Sequence, residues 1–209
     1  MRIRTGSSSP VPLRAAERRL YLVTPVRASF DGLLEAAIRG GVDVVQVRER
    51  GLPDRPLLDA LAVARDVTAA RGVPLGVNDR PDLAVLADAD FVHVGQEDIP
   101  VDQARRFGLP VGLSTHAPRE IEEARSDYIA VGPVHATPTK EGRAAVGLEL
   151  LRHAASRATL PWFAIGGIDE SNVGEAVAAG ATRVAVVRAI VEADDPERAA
   201  RALRSALPD

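Results

Sequence analysis

Pro74-Leu75-Gly76-Val77-Asn78-Asp79-Arg80, followed by Phe91-Val92-His93-Val94-Gly95-Gln96-Glu97-Asp98, is the stretch on which the fold turns. Each half is a short continuous apolar run that ends in amide- or carboxylate-bearing residues. Continuous rather than alternating apolarity is what a parallel strand covered on both faces shows. If the two strands are neighbours in one barrel, Asp79 and Asp98 project from the same rim. Two carboxylates converging there can share a hard divalent cation such as Mg²⁺, which prefers oxygen ligands and completes its shell with water and substrate phosphate. The pattern points to phosphate or pyrophosphate chemistry.

Outward from that stretch the same unit recurs. Apolar runs of strand length stand at residues 20–24, 42–47, 74–77, 91–94, 110–113, 128–131, 162–165 and 184–187, with amphipathic segments between them long enough for right-handed helical crossovers. Eight β/α units in 209 residues predict a single-domain TIM (β/α)8 barrel over residues 19–209, after an N-terminal tail at residues 1–18. Helix punctuation supports the count: Asp31 reads as opening a helix that Gly40-Gly41 closes, and Asp169 as opening one that ends before Gly180. A doubly wound open sheet uses the same alternation and is the structural alternative, because periodicity does not reveal closure. No internal repeat, low-complexity tract or linker divides the chain.

Composition narrows the function classes. The 46% hydrophobic content is enough for a substantial core, and the lack of any Cys excludes disulfides, thiolate metal sites and a cysteine nucleophile. That usage is compatible with a cytoplasmic location. A net charge of -3 gives no basic field for nucleic acid, and 3% aromatic content leaves few platforms for stacking bases. No apolar run approaches the ~20 residues of a membrane span, and no signal-peptide core is expected at the N-terminus. A homo-oligomer is compatible with all of this.

Active sites of TIM barrels sit where the strands end, so polar residues there are the candidates. A period of two puts Gln46 and Arg48 on one face, with Arg50 continuing the line into the loop; the two guanidiniums can fork onto phosphate oxygens. The plainer alternatives are an ion pair for Arg48 and solvent for Arg50. Asn78 and Asp79 also suit a turn or helix cap, and Asp98 a cap before the next helix. Ser114-Thr115-His116 offers hydroxyls to an anion or caps the helix after Pro118, and His116 titrates in the range for acid–base work. In the loop after strand six, Thr137-Pro138-Thr139-Lys140 concentrates two hydroxyls and an ammonium as a phosphate grip. Gly166-Gly167 and Val187-Arg188 follow strands seven and eight, where this fold builds phosphate sites from backbone N–H groups. His93 reads as a satisfied barrel residue; His153 and the arginines Arg198, Arg201 and Arg204 read as solvated helix faces.

Taken together, QVRER (46–50), VNDR (77–80), VGQED (94–98), GLSTH (112–116), VGPVHATPTK (131–140), FAIGGI (163–168) and VVRAI (186–190) resemble the thiamine phosphate synthase family, in order from residue 20 to residue 190. The resemblance implies a transferase of thiamine biosynthesis that joins an aminopyrimidine methyl diphosphate to a hydroxyethylthiazole phosphate and releases pyrophosphate. It implies Mg²⁺ on Asp79 and Asp98. It places Gln46, Val47, Arg48, Glu49, Arg50, Asn78, Ser114 and Lys140 around the pyrimidine diphosphate, with Arg48, Arg50, Ser114 and Lys140 acting in the chemical step. Thr137, Pro138 and Thr139, with backbone at Gly167, Val187 and Arg188, would bind the thiazole phosphate. The chain departs from the family pattern at Arg50, where Lys is usual, and at His135 and Ala136, which replace an aromatic residue and Pro; a planar guanidinium is not interchangeable with an ammonium. A related thiazole tautomerase on the same barrel resembles the His116 region and needs no Mg²⁺ diphosphate, and a non-catalytic phosphate-ligand sensor is a third reading. Retention of Asp79, Asp98 and the Thr137-Pro138-Thr139-Lys140 segment favours the synthase.

Overall fold

The structure is a computed structural model that describes residues 13–136 and 145–208. Strands and helices alternate as β1 (Leu20–Thr24), α1 (Phe30–Arg39), β2 (Val44–Val47), α2 (Asp54–Ala69), β3 (Leu75–Asn78), α3 (Pro81–Leu86), β4 (Phe91–Val94), α4 (Val101–Ala104), β5 (Val111–Thr115), α5 (Pro118–Glu123), β6 (Tyr128–Val131), α6 (Gly147–Arg157), β7 (Trp162–Ile165), α7 (Val173–Ala178), β8 (Val184–Val186), α8 (Arg188–Val191) and α9 (Pro196–Ser205). Each strand pairs in parallel with the next, and β8 pairs with β1 through Leu20↔Val184 and Leu22↔Val186. That last pairing closes the barrel and removes the open-sheet alternative. No helix among the described residues is long and apolar enough to cross a membrane.

Two helix openings differ from expectation. Asp31 lies inside the first turn of α1, with Ser29 at the N-cap position, and α7 begins only at Val173. Asp169 instead closes a turn by accepting the Ser171 N–H at 2.8 Å. A carboxylate is favoured anywhere in the first turn by the helix dipole, so the residue type alone does not fix the cap.

Strand alternation sorts the side chains into two layers. In β2, Val45 and Val47 join the large cluster packed beneath the helices, while Val44 joins the interior cluster. The interior is filled by Tyr21, Phe91, Tyr128 and Phe163, whose ring centroids lie 5.3–6.2 Å apart, mostly edge to face. Such pairs contribute roughly 0.5–1.5 kcal/mol each beyond the area they bury. Room for them comes from the neighbouring strands. Gly76 is paired with Phe91 and Gly112 with Tyr128, and a Cβ at either glycine would collide with the ring beside it. Leu13 and Ala15, just ahead of β1, are buried in the same interior cluster.

Three aspartates hold the end of the barrel where the strands begin. Asp43, Asp90 and Asp127 each stand one residue before an even-numbered strand and accept the N–H that opens the preceding strand: Leu20 at 3.0 Å, Leu75 at 2.8 Å and Val111 at 2.9 Å. The Asp90 carboxylate also takes Nη1 of buried Arg65 at 2.7 Å, which fastens α2 to the same joint. Polar groups at this end stabilise the fold, which leaves the opposite rim for chemistry.

Candidate active site

β3 and β4 run in register with Asn78 opposite His93, and the Asp79 N–H continues the ladder by donating to the His93 carbonyl at 2.8 Å. Asp79 is thereby set on the rim with φ at 61°, a left-handed conformation that costs a non-glycine residue about 1–3 kcal/mol. Neither candidate aspartate caps a helix. The N-cap positions of α3 and α4 are Arg80 and Pro100, and the Asp98 carboxylate turns back to accept the Gly95 N–H at 2.7 Å. That turn brings Asp98 into hydrogen-bonding contact with Asp79. Burial first, and then the hydrogen bond and charge of Asp98, push the Asp79 carboxyl up to about 6, against the opposing pull of Arg50 and Arg48. Two carboxylates pressed together in this way favour a bound cation. Among the described residues no group of three or more His, Cys, Asp or Glu forms a metal cage. The pair therefore suits a cation that takes few protein oxygens and fills its shell with water and phosphate, which is the habit of Mg²⁺.

Arg48 stands beside this pair. Its guanidinium is half-buried, and its Nη2 is shielded from solvent with no hydrogen-bond partner among the described residues. Burial, and then the nearby charge of Arg50, lower its pKa, while Asp79 and Asp98 pull the other way. A buried guanidinium nitrogen without an acceptor is matched by an anion entering the site. Arg50 is exposed at the mouth. Between them, the Glu49 carboxylate accepts the N–H groups of Val26, Arg50 and Gly51 at 3.1, 2.9 and 2.7 Å, so its side chain pins the loop that carries both arginines. Val47 faces the helices, which leaves its backbone as the part nearest the rim.

Gln46, Asn78 and Ser114 form a polar floor. Gln46 Nε2 donates to Asn78 Oδ1 at 2.7 Å, and Gln46 Oε1 accepts the Tyr21 hydroxyl at 2.5 Å. Ser114 Oγ lies 3.0 Å from His93 Nε2, and the N-cap position of α5 is Ala117, so the serine caps nothing. His93 is the satisfied barrel residue its position predicts, with Nδ1 bonded to the Tyr128 hydroxyl at 2.9 Å. The sequence reading missed Tyr21 and Tyr128 as members of this floor. The available signal was their placement, in register with the interior residues of strands that carry Gln46 and Ser114.

A cavity of about 300 Å³ adjoins Arg48 and Ser114 and extends to His116, Gly167, Val187 and Arg188. Sequence candidates from β2, β5, β7 and β8 are thus brought around one space. His116 Nδ1 donates to the Gly132 carbonyl, which turns the ring along the cavity wall. Gly167 has φ at 67°, and a Cβ there would press on His135, so this position needs glycine for both reasons. Thr137, Pro138, Thr139 and Lys140 lie outside the described residues. The described part of their loop, His135, is anchored by its N–H to the Gly166 carbonyl at 2.9 Å. His153 pairs with Glu122 at 3.0 Å and Arg201 with Glu197 at 2.6 Å on the outer helices, and Arg198 of α9 pairs at 3.1 Å with Glu170 in the turn before α7.

A closed parallel β/α barrel whose rim presents a carboxylate pair, an unmatched guanidinium and a cavity ending at strands seven and eight belongs to the class of barrels that bind phosphorylated ligands. Comparison with known proteins narrows the class. The family model for thiamine monophosphate synthase matches residues 20–190, and the chain belongs to that family. It is 48% identical over 200 residues to a thiamine-phosphate synthase of Gloeobacter violaceus, covering 93% of this chain and 59% of that longer protein. It is 46% identical to a thiamine-phosphate synthase of an Arthrobacter species, covering 91% of this chain and 94% of the relative. Among solved structures, a thiamine phosphate pyrophosphorylase from Pyrococcus furiosus superposes with a TM-score of 0.83 at 30% identity, covering 92% of this chain and 96% of that one.

Proposed function

We propose that this protein is a transferase that joins 4-amino-2-methyl-5-(diphosphomethyl)pyrimidine to 4-methyl-5-(2-phosphoethyl)thiazole, or to its carboxylated form with release of carbon dioxide, giving thiamine phosphate and pyrophosphate in the cytoplasm. The observation that carries the proposal is that Arg48, with its unmatched Nη2, stands between the Asp79–Asp98 pair beside it and a cavity that it lines together with Gly167, Val187 and Arg188. Diphosphate chemistry belongs at Arg48 and the carboxylate pair, and a second phosphate at Gly167, Val187 and Arg188. Asp79 and Asp98 would hold Mg²⁺, which when bound supplies positive charge to the diphosphate oxygens.

The carbon–oxygen bond to the diphosphate breaks with its electron pair leaving on pyrophosphate, and the positive charge on the methylene spreads into the electron-rich aminopyrimidine. The thiazole nitrogen then forms the carbon–nitrogen bond with its lone pair. No proton has to move in either event, so cations outweigh acid–base groups. Arg48, Arg50 and Lys140 receive the charge that grows on the leaving group. Gln46, Asn78 and Ser114 hold the pyrimidine, the pinned segment through Val47 and Glu49 fixes the arginines, and Thr137, Pro138 and Thr139 with the backbone at Gly167, Val187 and Arg188 align the thiazole phosphate.

The test is to mix purified protein with both precursors and follow pyrophosphate and thiamine phosphate, with Mg²⁺ and then with chelator. Equal, Mg²⁺-dependent formation of both products supports the proposal. Silence with both precursors intact would reject it and turn attention to thiazole tautomerisation, which the His116 ring on the cavity wall permits.

The elevated Asp79 carboxyl gives this metal site a pH signature. Below about pH 6 Asp79 holds a proton that a cation must displace, so apparent Mg²⁺ affinity is expected to fall by about tenfold per pH unit on the acid side. Raising Mg²⁺ tenfold should move the acid limb of the activity profile down by about one unit by the same competition. An acid limb that ignores Mg²⁺ concentration would remove Asp79 from the metal site.

A further inference from the structure

One hydrogen-bond chain crosses the barrel beneath the rim. It runs from Asn78 Oδ1 to Gln46 Nε2 at 2.7 Å, from Gln46 Oε1 to the Tyr21 hydroxyl at 2.5 Å, on to the Tyr128 hydroxyl at 3.0 Å and to His93 Nδ1 at 2.9 Å. From His93 Nε2 it reaches Ser114 Oγ at 3.0 Å. Six residues from β1, β2, β3, β4, β5 and β6 take part, and all but Asn78 are buried.

Such a chain has a direction, because each phenol carries a single proton. Burial pushes both phenols well above their ordinary range, so both remain protonated. The orientation of the Gln46 carboxamide, with its carbonyl inward, makes Tyr21 the donor to Gln46 and uses its proton. Tyr128 then donates to Tyr21 and accepts from His93, which places the imidazole proton on Nδ1. A neutral imidazole protonated at Nδ1 accepts at Nε2, and the Ser114 hydroxyl is its donor.

On the synthase reading above, we infer that His93 is a positioning residue: held as the Nδ1–H tautomer by Tyr128, it takes the Ser114 hydroxyl proton and turns the serine oxygen into an acceptor for the exocyclic amine of the pyrimidine. A serine so directed gives no hydrogen bond to a phosphate oxygen. It therefore sorts the two ends of the first substrate, with the amine to the floor and the diphosphate to Arg48 and the carboxylate pair. His93 need not touch substrate to do this.

Nitrogen-15 NMR of the labelled, substrate-free protein reads the tautomer directly, with His93→Gln identifying its signals among the four histidines. The expected result is protonation at Nδ1 in the wild type and a shift toward Nε2 in Tyr128→Phe. A second measurement compares dissociation constants for the aminopyrimidine methyl monophosphate and its desamino counterpart. The wild type should prefer the amine by roughly tenfold, the worth of one hydrogen bond, and Tyr128→Phe should erase that preference while leaving desamino binding unchanged. A purely structural role for the chain would weaken both ligands alike. Nε2-protonated His93 in the wild type, equal weakening of both ligands, or a preference that survives Tyr128→Phe overturns the inference. Failure of the synthase reading appears separately, as no turnover by the wild type with both precursors.

Discussion

Replacing Asp98 by alanine is expected to lower Mg²⁺-dependent turnover by about 10³-fold, the scale on which a preorganised charge at a reacting centre acts, while the melting temperature of the metal-free protein holds or rises. The opposite directions come from one cause. In the metal-free protein Asp98 helps to push the Asp79 carboxyl up to about 6, so its charge opposes that of its neighbour. A carboxyl whose folded pKa lies above its unfolded value costs stability once it is ionised, and that cost fades as pH falls through 6 toward the ordinary carboxylate range. Removing Asp98 relieves its share of that cost at pH 8, the share due to burial remaining, and gives up the hydrogen bond from the Gly95 N–H and the attraction between Asp98 and Arg48. Activity at several Mg²⁺ concentrations, paired with thermal melts at pH 8 and pH 4.5, checks both halves. Near-normal turnover would remove Asp98 from the metal site, and a large fall in melting temperature would make it a structural residue.

What the sequence disclosed of this site follows from what local patterns encode. Continuous apolar runs located the strands to within two residues, because strands covered on both faces have no polar face to blur their ends. A period of two put Gln46 on the inner face of β2 and Arg48, one residue past its end, on the cavity side, since side-chain direction in a strand depends only on neighbours along the chain. Closure was not legible, because it depends on β1 meeting β8 across more than 160 residues. The Asp43, Asp90 and Asp127 joints went unseen for a similar reason. Each is a single residue whose partner opens another strand, and the three recur at unequal spacing, so no repeat stands out in the sequence. Capping was a fair alternative for Asp79, Asp98 and Ser114 until the cap positions fell on Arg80, Pro100 and Ala117. The Tyr21–Tyr128–His93 chain needs residues from three strands at once.

Two arginines that look alike in sequence are expected to separate sharply when each is changed to methionine. Arg65 is buried against Asp90 at 2.7 Å, and its loss leaves a carboxylate under the barrel with one fewer partner. Breaking a buried pair from one side costs about 3 kcal/mol or more, so Arg65→Met should lower the melting temperature and leave kcat/KM of the surviving folded protein intact. Arg48 presents the reverse case, with a desolvated guanidinium, a neighbouring Arg50 that lowers its pKa, and an Nη2 that no described residue satisfies. Methionine of similar length fills its path without that unpaired charge, so Arg48→Met should hold or raise stability. It should also weaken pyrophosphate binding and lower kcat/KM for the pyrimidine diphosphate by about 10²–10³-fold, because the forked hydrogen bonds to the leaving group disappear. Arg48→Lys keeps the charge without the fork and should fall between the two. Thermal melts and kinetics on the variants decide the assignment. Loss of stability in Arg48→Met together with normal kcat/KM would make Arg48 a structural cation, and the diphosphate would then have to be held by Arg50 and Lys140.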